Sequence, residues 1–174
     1  MPVLAVTAIG ADRPGIIARV TKVLLEHGGN LEDSSMTILG GQFAIMLLVT
    51  SDSPPAALEH ALQEATADLG LVVTVRPTGA GAQGHVEPTH VVSVYGADRP
   101  GIVHAVAAGL AERGCNVTDL LTRVLPGATP VYTLQLEVAL PPGQDPGELV
   151  AALRAEPALA GVEVSVGPRD ADAF

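Results

Sequence analysis

The sequence predicts an α+β protein built from two ferredoxin-like sandwiches, each with a four-stranded antiparallel sheet and two helices on one face. Two observations support this fold class. The segment GADRPGI occurs at residues 10–16 and again, unchanged, at residues 96–102, and repetition at the spacing of a small domain indicates a duplication. In each half the apolar pattern also gives the element order β-α-β-β-α-β, which is that of the split β-α-β fold.

The first half opens with a strand and a helix. An apolar run at residues 3–9 predicts a central strand. Apolar residues recur at helical spacing over residues 14–27, and two glycines then predict the helix end, because glycine adopts the left-handed conformation without strain. Pro14 suits the first helical turn, and Asp12 is a candidate helix cap.

A hairpin and a second helix complete the first half. Residues 30–39 predict a second strand, and its polar start indicates an exposed edge of the sheet. Two glycines predict a tight turn before a third strand at residues 42–50. A helix at about residues 55–69 and a fourth strand at residues 71–75 follow.

A stretch rich in glycine and proline separates the halves. Residues 77–88, PTGAGAQGHVEP, contain few apolar side chains and predict a linker. They lack the Lys-Ser/Thr pair of a phosphate-binding loop. We therefore expect one domain at residues 1–76, a second at residues 89–167, and an acidic tail at residues 168–174.

The second half repeats the order of elements. The pattern predicts strands at residues 91–95, 116–125, 130–138 and 162–166, helices at 100–113 and 147–155, and a turn at 126–128. The correspondence between the halves extends beyond the repeated segment. Gly114 corresponds to Gly28, and an Asn-x-x-Asp pattern starts both at Asn30 and at Asn116.

Charge argues against direct binding to DNA or RNA. The formal net charge is −10, and the nine Lys and Arg residues are scattered rather than clustered. A nucleic-acid site needs grouped cations to displace the counterions of phosphate. Any regulatory role should therefore involve a protein or a small molecule. The N-terminus lacks a signal-peptide pattern and no apolar stretch is long enough to cross a bilayer, so we expect a soluble cytoplasmic protein.

The sequence offers no convincing catalytic or metal-binding set. Cys115 is the single cysteine, which excludes an intrachain disulfide, and we expect a buried, inert thiol. His85, Glu87 and His90 could in principle hold a metal, but a solvated linker end is favoured. His104 is expected on a helix surface. We find no nucleophile beside a base, and expect no enzyme activity, metal or cofactor.

The chemistry of the repeated residues fits a small zwitterion. A helix N-terminus presents unpaired N–H groups that attract a carboxylate, and Gly15 and Gly101 would let a ligand approach the backbone. The amides of Asn30 and Asn116 can both donate and accept hydrogen bonds. Asp12 and Asp98, or alternatively Asp33 and Asp119, could supply a carboxylate that pairs with an ammonium group. Turn and capping chemistry alone is the alternative explanation of the same residues.

Two such units, each with GADRPGI after the first strand and Asn after the glycine that ends the helix, resemble tandem ACT domains. In particular they resemble the repressors of the glycine cleavage system that consist of little besides two such domains. The resemblance covers residues 3 to about 166. The motif is also similar to the ACT segments of formyltetrahydrofolate deformylases and of nucleotidyl-sensing regulators, but we expect no attached catalytic domain in this chain.

The resemblance implies amino-acid sensing. ACT domains typically pair through their second strands and bind the ligand at the interface, near the first loop and the start of the second strand. Carried over to this chain, the expected ligand-binding residues are Asp12, Pro14, Gly15, Ile16, Asn30, Leu31, Asp98, Pro100, Gly101, Ile102, Asn116 and Val117. Gly29 is matched by Cys115 and Glu32 by Thr118, so the two sites need not bind the same ligand.

We therefore expect a non-catalytic regulatory protein that binds a small amino acid, glycine-like or serine-like, at ACT interfaces. It would signal to a partner protein such as a transcription factor or an enzyme, without touching nucleic acid or membrane, and would form a homodimer. The alternative is a protein-interaction module without a ligand. An amino acid that raises the melting temperature separates the two.

Overall fold

The computed structural model describes residues 2–79, 86–126 and 131–169. The chain divides into two compact units, Met1–Ala82 and Gln83–Phe174, called here the first and the second unit. Parts of four predicted segments lie outside the described residues. These are residues 80–85 of the linker with His85, residues 127–128 of the turn, residue 130 of the strand predicted at 130–138, and residues 170–174 of the tail.

The first unit has the predicted β-α-β-β-α-β order. Its strands are β1 (Val3–Ala11), β2 (Asn30–Leu39), β3 (Gln42–Thr50) and β4 (Val72–Pro77). Its helices are α1 (Ile16–Glu26) and α2 (Pro55–Ala65), and a 3-10 turn at Ala67–Leu69 follows α2. The strands pair antiparallel in the order β2-β3-β1-β4.

The second unit repeats this arrangement. Its strands are β5 (His90–Gly96), β6 (Asn116–Leu125), β7 (Val131–Ala139) and β8 (Glu163–Pro168), in the sheet order β6-β7-β5-β8. Its helices are α3 (Ile102–Ala111) and α4 (Pro146–Arg154), followed by a 3-10 turn at Pro157–Leu159. The predicted fold class, two α+β ferredoxin-like sandwiches, is confirmed.

Each unit has its own core between the sheet and its two helices. Alternate residues of β1 are fully buried, namely Leu4, Val6 and Ala8, because successive side chains of a strand point to opposite faces. Apolar residues of α1 and α2 cover this side. A matching cluster fills the second unit and includes Cys115. The opposite face of each sheet carries no helix of its own unit, so we call it the open face.

Two predicted helix starts are wrong for the same reason. The sequence predicted that the first helix begins at Pro14, but α1 begins at Ile16 after Gly15, whose φ is 91°. In the second unit α3 begins at Ile102 after Gly101, whose φ is 98°. A left-handed residue cannot continue a right-handed helix, so the proline lies outside it. Asp12 is therefore too far from the helix start to cap it, and α1 has no side-chain cap.

The second strand is an edge of the sheet, as predicted, and its predicted bounds are confirmed in both units. Every residue of β2 is exposed, and its apolar side chains Leu31, Met36 and Ile38 are 46%, 49% and 52% exposed. The helices of the unit therefore leave this edge uncovered. Among the described residues, none of the helices is long and apolar enough to cross a membrane.

Candidate functional site

The repeated segment forms the connection between the first strand and the first helix of each unit. Gly15 and Gly101 both lie just before the helix in the left-handed conformation, which glycine adopts more readily than any other residue. The Gly15 carbonyl accepts the first helical hydrogen bond, from the Arg19 amide at 3.0 Å. The Gly101 carbonyl accepts from the Ala105 amide at 2.9 Å. The backbone path of the loop thus explains the second glycine of the motif.

The first glycine of the motif permits a close approach of two chain segments. A Cβ on Gly10 would lie 2.6 Å from Leu71 Cδ2, and a Cβ on Gly96 would lie 2.6 Å from Val162 Cγ1. Both neighbours stand just before the last strand of their unit. These glycines therefore let the last strand enter the sheet beside the loop, and their recurrence has a packing cause.

The arginine of the motif fastens the loop to the segment before the last strand. Arg13 Nη1 donates to the backbone oxygen of Asp68 at 3.4 Å. Arg99 donates in the same way to the backbone oxygen of Ala160. No role was predicted for these arginines from the sequence, although both recur in the repeated segment. The loop is thus held in place by a contact that lies far away in sequence.

The loop carboxylates are exposed and belong to different surroundings in the two units. The Asp12 amide donates to the Gly41 carbonyl at 2.9 Å, which closes the loop over the β2–β3 turn. In the second unit, burial and then the negative charge of Asp98 raise the pKa of Tyr132. Tyr132 pairs with Gly96 across the ladder, and its counterpart Phe43 pairs with Gly10. A phenol therefore stands near the second loop where the first has a phenyl ring.

The Asn-x-x-Asp pattern marks a β-bulge that is present in both units. In β2 the register shifts between Leu31 and Asp33, so Glu32 is the extra residue. In β6 the shift lies between Val117 and Asp119. Residues three apart in a regular strand point to opposite faces, and the bulge instead puts both members of the pattern on the open face. The recurrent spacing is therefore a geometric feature of the strand.

The side chains at the bulge already have partners in the first unit. The Asn30 amide donates to Glu32 Oε1 at 3.1 Å, and the Thr50 hydroxyl donates to the same oxygen at 3.0 Å. In the second unit the Thr118 hydroxyl donates to the Glu137 carbonyl at 3.2 Å. The bulge residue thus forms a hydrogen bond to the neighbouring strand in both units. In the first unit the Glu32 carboxylate accepts it, and in the second unit the Thr118 hydroxyl donates it.

The two parts of the predicted site lie at opposite ends of each sheet. Gly10 pairs with Phe43 across the sheet. Asn30 pairs with Thr50, which on its other side pairs with Val3, so Asn30 lies at the end of the sheet where β1 begins. The seven residue-to-residue steps from Val3 to Gly10 span roughly 24 Å at about 3.4 Å each. The helix returns the chain to the far end before the second strand begins. The loop and Asn30 of one unit therefore cannot contact one amino acid together.

The loop of the first unit borders a cavity of about 470 Å³. Its lining includes Asp12, Arg13, Gly15, Ile17, Met36 and Phe43. A groove of about 200 Å³ between α1 and β2 shares Ile17 and Met36 with it. The structure thus gathers Asp12, Gly15 and Ile16 around one cavity, while Leu31 lines the adjoining groove and Pro14 lies in the loop itself.

The first helix of the second unit borders a different groove, of about 340 Å³, against the 3-10 turn. Gly101, His104 and Ala105 line the groove on the side of α3, and Ala158 lines it on the side of the 3-10 turn. Asp98, Pro100 and Ile102 belong to the loop and helix start beside it. Asn116 and Val117 begin β6 at the far end of the sheet, as Asn30 and Leu31 begin β2.

Cys115 is buried in the core of the second unit. Burial raises the pKa of its thiol, and the nearby Arg113 charge offsets part of this effect. A protonated, buried thiol is a poor nucleophile. Within residues 2–79, 86–126 and 131–169, no three His, Cys, Asp or Glu side chains are grouped as metal ligands require.

Comparison with known proteins identifies both units. Residues 3–76 match a family model described as ACT domain, and residues 90–158 match a second model with the same description. The glycine cleavage system transcriptional repressor of Escherichia coli K12 is 33% identical over 124 residues. That alignment covers 71% of this chain and 65% of the repressor, so less than two thirds of the relative's length is matched.

Two further proteins widen the comparison. A crystal structure of an unknown protein from Galdieria sulphuraria is 28% identical and superimposes with a TM-score of 0.80, covering 97% of this chain and 99% of that one. Phosphoserine phosphatase SerB2 of Mycobacterium tuberculosis is 30% identical over 144 residues. This match covers 79% of this chain but 34% of the phosphatase. The similarity to an enzyme is thus confined to about one third of that enzyme.

Proposed function

The chain belongs to the ACT domain family, with two ACT domains in tandem, and from this we propose that it is a non-catalytic regulatory protein. It binds a small free amino acid, of the glycine or serine kind, at its ACT domains. Binding favours one arrangement of the protein, which a protein partner recognises. The observation that carries the proposal is the identical seven-residue loop, placed at a helix start in both units.

The loop offers complementary groups for a zwitterion. The first helical amides have no partners within the helix and favour a carboxylate. Asp12 and Arg13 both line the cavity at the loop. The Asp12 carboxylate supplies a negative charge for the ligand's ammonium group, and the Arg13 guanidinium supplies a positive charge for its carboxylate. Gly15 leaves the approach to the backbone open, because nothing lies within 4 Å of the position where its Cβ would be.

Assembly through the second strand would complete such a site. An exposed edge strand with apolar side chains is expected to be covered by another strand. If β2 pairs antiparallel with β2 of a second chain, the start of one strand comes opposite the end of the other. Asn30 of one chain would then approach the loop of its partner, which one chain cannot achieve alone. We therefore propose a homodimer.

The proposed partner is a protein that controls gene expression or an enzyme. The repressor relative supports a role in regulating transcription. The net charge of −10 and the scattered cations disfavour direct contact with DNA, so the effect would pass through a protein. A ligand-free interaction module is the second candidate, since the exposed apolar edge would serve it equally well.

A thermal-shift screen of the full chain against the twenty amino acids tests the proposal. A ligand that binds only the folded state stabilises it by about 2.7 kcal/mol at a hundred times Kd. We expect one or a few amino acids to raise the melting temperature. The Asn30→Ala and Asn116→Ala variants should reduce this rise, whereas Gln144→Ala, an amide removed from a loop elsewhere, should not. No shift with any amino acid would favour the ligand-free module.

A further inference from the structure

Each sheet has two outer edges, which are formed by the second and the last strand of its unit. Every second residue of an antiparallel edge strand turns its backbone N–H and C=O groups away from the sheet. Such unpaired groups form a template to which another strand can add. The two edges differ in this chain, because helix side chains bond the backbone of the last strand.

In the first unit, two side chains of α2 bond the outer edge of β4. Glu59 Oε2 accepts a hydrogen bond from the Val75 amide at 2.7 Å, and Gln63 Nε2 donates to the Val73 carbonyl at 3.2 Å. The two side chains also bond each other, since Gln63 Nε2 donates to Glu59 Oε1 at 3.5 Å. An amide and a carbonyl that a further strand would need are therefore already bonded.

The second unit bonds the same edge with a different residue. Arg154 of α4 donates to the Val164 carbonyl from Nε at 3.2 Å and from Nη2 at 2.8 Å. Val164 is the counterpart of Val73, because both pair with the same position of the first strand of their unit. The carbonyl at this place of the edge is therefore bonded by a helix side chain in both units.

Proline closes the end of both last strands. Pro77 is the final residue of β4, and Pro168 is the final residue of β8. Because proline has no N–H group, it offers no donor to a pairing strand and is found in sheets mainly at edges. The strands are also short, with six residues each. Short strands and proline are both features that disfavour addition at an edge.

The second strands lack these features. β2 and β6 have ten residues each. Among the residues that the structure describes, no helix side chain bonds the backbone of either strand. The Ser34 amide of β2 donates to the carboxylate of its neighbour Asp33 at 2.7 Å, which is a local bond within the strand. Each sheet therefore has one edge bonded by its helix and one that its helices leave available.

We propose that Glu59, Gln63 and Arg154 are edge caps, which stop a second copy of this chain from adding a strand to β4 or β8. A side chain that bonds the edge must be displaced before another backbone can bond there. Pairing of sheets is then confined to β2 and β6, and the paired sheet cannot be extended further. The inference concerns assembly and holds whether or not an amino acid binds, so it goes beyond the proposed function.

Light scattering after size exclusion, over a range of concentrations of the full chain, tests the caps. Glu59→Ala combined with Gln63→Ala frees the outer edge of β4. We expect its mass at high concentration to be at least double that of the unmodified protein. Glu64→Ala removes an exposed carboxylate of the same helix and is the matched control, which should keep the unmodified mass. Arg154→Ala should raise the mass in the same way through β8.

A reversal variant shows whether the association uses this edge. Val72 is 69% exposed at the start of β4, and Val72→Lys places a charge beside the freed edge. Added to the Glu59→Ala and Gln63→Ala changes, it should restore the unmodified mass. The reference is the unmodified protein, so the comparison holds whether that protein is a monomer or a dimer.

Two results would overturn the edge caps. One is an unchanged mass of the double variant at every concentration, with circular dichroism showing an intact fold. The other is an increased mass that Val72→Lys does not reverse, since the association would then use another surface. If the double variant does not fold, Arg154→Ala decides: an intact fold with unchanged mass overturns the proposal, and a raised mass supports it.

Discussion

Arg19 and Asp68 join the first helix of the first unit to the 3-10 turn that follows its second helix. The Arg19 guanidinium forms an ion pair with the Asp68 carboxylate, and it also donates a hydrogen bond to the Ala65 carbonyl at 3.3 Å. In the second unit Ala105 and Ala158 occupy these positions, and a groove of about 340 Å³ lies there instead. The first unit thus closes with an ion pair the place that stays open as a groove in the second unit.

Replacing Arg19 by alanine should weaken the first unit slightly. The side chains of Arg19 and Asp68 are 39% and 69% exposed, so the pair is expected to contribute at most about 1 kcal/mol to the free energy of unfolding. Urea unfolding at low and high salt measures this, and the effect should shrink as salt screens the charges. Lys22→Ala, which removes an exposed i,i+4 pair from the same helix, is the control. An equal loss for both variants at low salt would contradict the assignment.

Alanine at Gly15 should destabilise the first unit through its backbone alone. Nothing lies within 4 Å of the added Cβ, so no clash contributes, but the φ of 91° disfavours any L side chain. We expect a loss of about 1–2 kcal/mol in the free energy of unfolding. Gly79→Ala adds a methyl group into equally open space without a left-handed φ. It should leave stability nearly unchanged, and equal losses for the two variants would disprove the backbone explanation.

Much of the fold can be predicted from the sequence, because apolar residues recur at a different spacing in strands than in helices. The bounds of β2 and β6 were predicted correctly, and the repeat fixed the element order in both units. The helix starts were missed since nothing local requires Gly15 to be left-handed. The contact of Arg13 with Asp68 could not be foreseen, because it joins residues 55 positions apart.

The candidate site was harder to predict than the fold. The resemblance to ACT domains assigned the loop and Asn30 to one ligand site at an interface between domains. Within one unit the intervening helix carries the chain to the other end of the sheet, which the sequence did not reveal. The Asn-x-x-Asp pattern was correctly found to recur, but its physical cause, a bulge at Glu32, requires the strand register. The ligand roles of these residues stay predictions.

A charge on the second strand should prevent the proposed dimer. Ile38 is 52% exposed on β2, and Leu25 is 77% exposed on α1. Ile38→Lys places an ammonium group where a second chain would pair, at a desolvation cost that pairing cannot recover. Light scattering after size exclusion should show a dimer for the unmodified protein and for Leu25→Lys, and a monomer for Ile38→Lys. A dimer in all three would rule out β2 as the interface.

Raising the pH should destabilise the second unit partly through Tyr132. Its pKa is raised above the ordinary 10.0 by burial and by the Asp98 charge. The folded state therefore holds this proton more tightly than the unfolded state. The stabilisation that results from this difference is fully present below pH 10.0 and is lost as the pH rises through the pKa of Tyr132 in the folded state.

Tyr132→Phe should reduce the fall in melting temperature as the pH rises above 10.0. Melting curves followed by circular dichroism at several pH values measure this. Tyr95→Phe removes the exposed phenol of β5 and is the control. The Cys115 thiol, whose pKa is raised above 9.0 by burial, contributes to the remaining slope. Identical pH profiles for Tyr132→Phe and the unmodified protein would contradict the prediction.

The fastening of each loop by its own arginine and glycines has an evolutionary consequence. The two halves of the chain act as a record of divergence from one ancestor, in which seven loop residues stayed the same while Ala18, Met36 and Phe43 acquired different counterparts. The contacts that hold the loop are thus the same in both halves, whereas the residues around it differ. Substitutions around such a loop can change its surroundings without changing its backbone path.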